Sequence, residues 1–327
     1  MTGLSDSFQR PVNYLRISVT DRCNLRCIYC MPEEGVDLMS HSDILSYEEI
    51  YNVARVAADM GINKVRLTGG EPLVRFGVPE LVRMLAGIEA IDEITMTTNG
   101  VLLARYAQEL KDAGLSRINI SLDTLKPDRF NLITRCGNLE DTLEGIEAAH
   151  AAGLEPVKIN VVVMAGINDD EIVDFAGKTI KDGWHVRFIE HMPVNGDESG
   201  KLDFVSVADM KRLIDPLGKM EPYRTSAGNG PAKYFRLPDA TGTIGFITPI
   251  TEHFCFQCNR LRLTADGKLR PCLLSEDEID LREVLRRGGP AEELKALIEE
   301  AIARKPAGHN LANGDRRKGR PFSQVGG

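Results

Sequence analysis

From residue 14 to residue 192 the chain alternates short β-type runs with helical ones, and no other feature narrows the possible folds as much. The strand candidates, in order, are NYLRISV (13–19), KVRLT (64–68), EITMTT (93–98), RINISL (117–122), VKINVVVM (157–164) and HVRFIEHM (185–192). Between them lie SYEEIYNVARVAADMG, VPELVRMLAGI, ARYAQELKDAG, LEDTLEGIEAAHAAG and NDDEIVDFAGKTIKDG. These carry apolar residues at helical spacing, and several close on glycine, the usual helix C-cap. Ser46 and Glu49 stand at the spacing of a capping box. Strand, helix and strand repeated in this way give a parallel sheet with helices outside it. Six such units without a visible seventh and eighth predict an α/β fold of the incomplete, TIM-like (β/α)6 barrel type; a doubly wound open sheet would give the same string. In either fold, chemistry is expected beyond the carboxyl ends of the strands.

After about residue 195 the pattern changes to Gly- and Pro-rich segments with short strand-like pieces, KYFRL, GTIGFIT, RLRLT and GKLRPCL. Three parts follow: a partial barrel over 1–195, a small C-terminal α+β module over 196–303, and a tail over 304–327. The tail is polar, rich in Gly, Arg and Lys, with Asp315 as its one acid, the composition of a mobile segment. Such a segment occasionally makes a weak RNA contact instead. The N-terminus has neither a basic nor an apolar leader region, and apolar runs such as INVVVMAGI are too short to span a bilayer, so a cytoplasmic protein without a membrane partner is expected. A net charge of -8 argues against nucleic-acid binding through overall charge. An anionic ligand must then be met by a local basic site.

Seven cysteines is an odd number, and six of them fall in two tight groups more than two hundred residues apart. That is the pattern of metal ligation in a reducing compartment, not of a disulfide framework. The first group, Cys23, Cys27 and Cys30 in CNLRCIYC, follows the first strand directly. Three thiols on one tight loop suit zinc completed by a distant residue or an iron-sulfur cluster, since thiolates bind both. The second group, Cys255, Cys258 and Cys272, is spaced C-x2-C-x13-C on short strands, as in zinc ribbons, and His253 could serve as a fourth ligand. Cys136 belongs to neither group and receives no role.

CNLRCIYC resembles the CxxxCxxC signature of the radical S-adenosylmethionine enzymes, including the aromatic Tyr29 before the third cysteine. The resemblance implies three irons of a 4Fe-4S cluster on Cys23, Cys27 and Cys30, with the fourth iron left to S-adenosylmethionine. Reductive cleavage of the sulfonium then gives methionine and a 5′-deoxyadenosyl radical, chemistry carried by the cofactor. TGGEP (68–72) is similar to the motif that contacts the methionine end, which assigns Gly69, Gly70 and Glu71 there. The glycines would allow close backbone approach to a ligand, and a carboxylate can accept from an ammonium. Ser121 and Met192, at strand ends, are assigned near the cosubstrate by the same resemblance; packing alone would also account for a methionine there.

The second cysteine group resembles the auxiliary 4Fe-4S site of one branch, the GTP 3′,8-cyclases that begin molybdenum-cofactor biosynthesis. The likeness extends over LRISVTDRCNLRCIYCMP, VRLTGGEPLVR, TTNG, RINISLDTL, INDDEI, VRFIEHM, CNRLRLTADGKLRPCL and the terminal GG. It implies two 4Fe-4S clusters, with the purine of GTP on the open iron of the second. It also implies an external electron donor, a homodimer, and cyclic pyranopterin monophosphate synthase as the next enzyme. A triphosphate in an acidic protein calls for several fixed cations, and arginine matches phosphate oxygens. Arg16, Arg66, Lys158, Arg260 and Arg262 fall on the strands where they are needed, with Lys64 and Arg187 as weaker additions; each alone would also pass for a surface charge. Arg260 and Arg262 face one side of an extended strand. Thr97 and the Arg260, Leu261, Arg262 run are assigned to GTP by family match, and Gly326 and Gly327 to the active site. No P-loop is present.

Overall fold

The computed structural model describes residues 3–192, 205–224, 230–309 and 320–326. Its strands are β1 (Tyr14–Ser18), β2 (Lys64–Thr68), β3 (Glu93–Thr98), β4 (Arg117–Ser121), β5 (Lys158–Val163), β6 (His185–Glu190), β7 (Glu221–Pro222), β8 (Lys233–Arg236), β9 (Thr243–Ile247), β10 (Arg260–Leu263), β11 (Lys268–Arg270) and β12 (Ile279–Asp280). The helices are α1 (Tyr47–Asp59), α2 (Val78–Ala86), α3 (Leu103–Asp112), α4 (Pro127–Thr134), α5 (Leu139–Ala151), α6 (Ile172–Lys181), α7 (Val207–Ile214), α8 (Arg282–Arg286), α9 (Ala291–Ala303) and α10 (Phe322–Val325). The capping box of α1 is formed: Ser46 accepts from the Glu49 amide and Glu49 accepts from that of Ser46. Helix α4, which the sequence pattern had not indicated, begins on Pro127, whose fixed φ and missing N–H suit the first helical turn.

One twelve-stranded sheet runs in the order β12-β11-β10-β1-β2-β3-β4-β5-β6-β9-β8-β7. The six βα strands pair in parallel as expected. Two further parallel strands come from the C-terminal segment: β10 beside β1, and β9 beside β6. The segment read as a separate module thus extends both edges of the barrel sheet.

The two faces of the parallel strands differ in chemistry. Leu15, Ile17, Val65, Leu67, Ile118, Ile120, Val186 and Phe188 occupy one face and join the apolar core with the helices. The alternate positions, Tyr14, Arg16, Arg66, Thr95, Thr97, Asn119, Asn160 and Arg187, face the other way, toward the inside of the sheet. Barrel interiors are normally filled by Val, Ile and Leu. Here the inner layer is polar, and it lines a cavity of about 360 Å³.

Candidate active site

The first cysteine loop hangs between β1 and the end of α4. Its entry is fixed where the Val19 amide donates to the Thr68 carbonyl (2.9 Å). Its far side is fixed by Arg26 N to Thr134 O and Ile28 N to Ile133 O, both 2.9 Å. All three thiols line the cavity. Burial pushes Cys23 up to about 11, with the charge of Glu71 adding to it, and Cys30 up to about 12. Cys27 lies well above the ordinary thiol range through burial and the neighbouring Cys30. The Tyr29 hydroxyl donates to Asp123 Oδ2 (2.7 Å), while Asp123 Oδ1 accepts from the Val162 amide (2.8 Å). Burial raises Asp123 to about 6.

The glycines of TGGEP have a structural reason to be glycine. A Cβ on Gly70 would stand 2.3 Å from the Arg22 carbonyl oxygen, and one on Gly69 would stand 2.6 Å from that of Thr20. The close approach they permit is to the backbone leading into the cysteine loop, and both also line the cavity, where the resemblance assigns them to the cosubstrate. Glu71 is buried and accepts from Leu73 N (3.0 Å), Thr98 Oγ1 (2.7 Å) and Asn99 N (2.7 Å). Burial brings it to about 7 in spite of these donors. Asn99 also donates to Asn24 Oδ1 (2.8 Å), which ties the end of β3 to the loop. Ser121, at the end of β4, and Met192, just past β6, line the same cavity.

The second thiol group lies at the other end of the strands. Tyr14, the first residue of β1, pairs with Arg260, so Cys258 and Cys255 precede the amino end of β10, and the antiparallel β11 returns Cys272 to that end. The two groups are separated by roughly a strand's length, about 15 Å. Burial would raise Cys258, but Arg260 and Lys305 outweigh it and bring the thiol down to about 6. The first group thus lies beyond the carboxyl ends of the strands, where chemistry was expected, and the second at their amino ends.

Between the two groups the inner face carries cations in register. Arg262 pairs with Arg16, and Arg16 with Arg66. Burial and the adjacent Arg262 hold Arg16 well below the usual guanidinium range, and burial with Arg260 beside it lowers Arg262 to about 10. Burial brings Lys158 down to about 7, with Arg187, Arg117 and Arg66 adding to the effect. Burial likewise lowers Arg187 to about 10, and its Nε and Nη2 have no hydrogen-bond partner among the described residues. Arg66 donates to the Tyr14 hydroxyl and, through Nη1, to Thr97 Oγ1 (3.2 Å). Tyr14 is lowered to about 8, Arg66 and Arg16 outweighing the effect of burial. Clustered, desolvated cations with donors to spare are the surroundings an anion would relieve.

Lys64 does not line the cavity, and Lys158 lies buried on the inner face next to it. Alternation along β10 puts the Leu261 side chain in the apolar core, so its assignment to GTP concerns its backbone and rests on the family match. His253 packs against His309, with ring centroids 6.0 Å apart, and is not gathered with the thiols into a metal-binding group. The Cys136 thiol donates to the Asn24 carbonyl (3.4 Å) under the first loop. Among the described residues of the tail, Arg320 makes a two-pronged ion pair with Asp266 (2.8 and 2.9 Å), and Ser323 and Val325 are buried; residues 310–319, which the mobile-tail expectation also covers, lie outside the described residues. The Gly326 carbonyl accepts from Arg262 Nη1 (2.6 Å), and a Cβ there would press on Thr68 and Ser18. Gly327 lies outside the described residues. Sequence reasoning missed Asp123, Asn99 and Lys305. The first two stood in the quoted NISLD and TTNG motifs, whereas Lys305 gave no local signal.

The donor set fits iron-sulfur clusters. All seven cysteines are free, and within each group the thiols feel one another's charge.

A parallel sheet with three thiols on the loop after its first strand defines a radical S-adenosylmethionine protein, and the model of that superfamily, described as Radical SAM superfamily, matches residues 17–178. The model described as Molybdenum Cofactor Synthesis C matches residues 184–311. A GTP 3′,8-cyclase of Moorella thermoacetica is 54% identical over 324 residues, covering 99% of this chain and 100% of the relative. Another from Pelotomaculum thermopropionicum is 55% identical over 326 residues, with 99% and 100% covered. The chain belongs to the GTP 3′,8-cyclase family. Among solved structures, Streptococcus suis SuiB bound to S-adenosylmethionine superposes with a TM-score of 0.60 at 16% identity, covering 88% of this chain and 68% of SuiB, a likeness of fold.

Proposed function

We infer that this chain converts GTP to 3′,8-cyclo-7,8-dihydro-GTP, the first step of molybdenum-cofactor biosynthesis, using two 4Fe-4S clusters and S-adenosylmethionine. The observation that carries this reading is the stacking of three cavity-lining arginines, Arg262, Arg16 and Arg66, across adjacent strands between two thiol trios that share one cavity. Cys23, Cys27 and Cys30 would hold one cluster, and Cys255, Cys258 and Cys272 the other. When bound, the first supplies the electron that cleaves S-adenosylmethionine and the second an open iron for the purine.

The protein's part is to bind, orient and exclude water. Arg16, Arg66, Arg262, Arg187 and Lys158 supply positive charge for the triphosphate, and burial strengthens each contact by removing competing water. The Arg66 guanidinium, held by Tyr14, presents Thr97 and its own free edge to the nucleotide. Arg260 stands beside the second thiols, where it orients the base. Glu71 keeps lone pairs for the cosubstrate's ammonium, and Gly69, Gly70, Tyr29, Ser121 and Met192 complete that end. Gly326 closes the space near Arg262, and the part given to Gly327 rests on the family resemblance alone. Holding the 3′ carbon of the ribose within reach of the reactive carbon of the cosubstrate is worth more than any group that moves a proton here.

The reading also calls for an external electron donor, a homodimer, a cytoplasmic setting and cyclic pyranopterin monophosphate synthase to take the product, all carried from the family resemblance. No described helix is long and apolar enough to cross a membrane. Anaerobic reconstitution with iron and sulfide, then incubation with GTP, S-adenosylmethionine and a reductant, should yield 5′-deoxyadenosine and cyclised GTP. Deoxyadenosine with GTP untouched would overturn the choice of substrate; zinc in place of iron would overturn the reading whole.

A further inference from the structure

The second thiol group is held by two buried cations that come from opposite ends of the chain. Lys305, 3% exposed, follows α9 and uses its ammonium three ways: to Cys258 Sγ (3.5 Å), to the Arg260 carbonyl (2.9 Å) and to the Pro271 carbonyl (3.0 Å). Pro271 directly precedes Cys272, so one ammonium joins the backbone segments that carry the second and third thiols. Arg10, 5% exposed, serves the first. Its Nη1 donates to the Cys255 carbonyl (2.7 Å) and to that of Ala307 (3.1 Å), and its Nη2 to that of Pro306 (2.7 Å). Asp6 holds Arg10 in place through Nε at 2.6 Å. The stretch after Lys305 is thereby pressed against Cys255, with the Gly308 Cα facing that side chain.

We propose that Lys305, braced by Arg10, is a positioning residue for the second cluster, which it both locks in place and biases toward its more negative, reduced state. The inference rests on the cluster assignment made above. An ammonium hydrogen-bonded to a ligating sulfur stabilises added negative charge, and hydrogen bonds to cluster sulfurs and local charge set reduction potential. The carbonyl contacts explain why a lysine reaches this depth, since three acceptors satisfy its three donors.

The test is a redox titration of the reconstituted full-length chain, followed by electron paramagnetic resonance, with the first cluster as internal control. Lys305→Met should move the midpoint of the second cluster to a more negative potential, leave the first unmoved, and speed iron loss to a chelator from the second site alone. Lys305→Arg should restore most of both properties. Lys305→Gln, which keeps donors without charge, should retain the iron yet show the shifted midpoint, and it serves if Lys305→Met does not fold. Unchanged midpoint and chelator resistance in Lys305→Met or Lys305→Gln would overturn the proposal. If instead the unaltered chain holds one cluster only, the functional reading fails first.

Discussion

Cys23, Cys27 and Cys30 lie among Glu71, Asp123 and the Tyr29 phenol, and their thiols are driven upward, whereas Cys255, Cys258 and Cys272 lie among Arg260, Arg262 and Lys305, and Cys258 is drawn down to about 6. Equal numbers of the same ligand are thus set beside different charges: burial raises the first three and Cys255 alike, carboxylates add to the rise at the first trio, and cations outweigh it at Cys258. The first field suits a cosubstrate that carries a sulfonium and an ammonium. The second suits a polyanionic nucleotide. The comparison teaches that ligand count sets what kind of group a site holds, while the surrounding charges set what that group can meet.

The sharpest way to break the comparison is to remove one thiol from each trio. Cys23→Ser should abolish both deoxyadenosine formation and GTP cyclisation, while Cys258→Ser should abolish cyclisation and spare cleavage of S-adenosylmethionine. Equal loss in both variants, measured by chromatography of the two products, would erase the division of labour. Next in size is Arg262→Ala, which removes a buried charge-assisted donor worth about 1.5–3 kcal/mol. GTP affinity by calorimetry should fall roughly 10- to 100-fold, with S-adenosylmethionine affinity nearly unchanged.

A pH series sharpens the electrostatic half. Lys158 is lowered by burial from its ordinary 10.5 to about 7, so between about pH 7 and 10.5 the unfolded chain binds the extra proton. The ligand-free fold should therefore gain stability as pH rises through that window, and below about pH 7 the full cost of the buried charge remains. GTP binding should run the other way, weakening as Lys158 loses its proton. Lys158→Met should flatten this component of both slopes, read from thermal midpoints and binding titrations. The smallest effect belongs to the first site. Tyr29→Phe removes the hydrogen bond to Asp123 and should cost about 1 kcal/mol of stability by denaturant unfolding, leaving the yield of cyclised product per deoxyadenosine unaltered.

The parts legible in the sequence were those written in local pattern. Six strands with their helices followed from period and caps, and the placement of Arg260 and Arg262 on one side of a strand followed from alternation. What stayed hidden depended on partners far along the chain. Nothing local in RLRL announces that β10 runs parallel beside β1; only the family resemblance implied that the two sites stand at opposite ends of the barrel. Lys305 and Arg320 read as tail charges because composition ignores the buried carbonyls and the Asp266 carboxylate that receive them. The glycines of TGGEP were read for ligand access, and no local pattern signalled that they also make room for the backbone of Thr20 and Arg22.

The pairing of β1 with β10 also imposes an order in time. Asn13 meets Asn259, 246 positions later, whereas the first cysteine loop finds Thr68 and Thr134 much sooner. A chain made from its N-terminus can therefore shape the first metal loop while one flank of β1 still waits, an exposed strand edge of the kind that invites wrong pairing. The nucleotide end must come later, because its clasp joins residue 10 to residues 306 and 307 and closes only when almost the whole chain has been made.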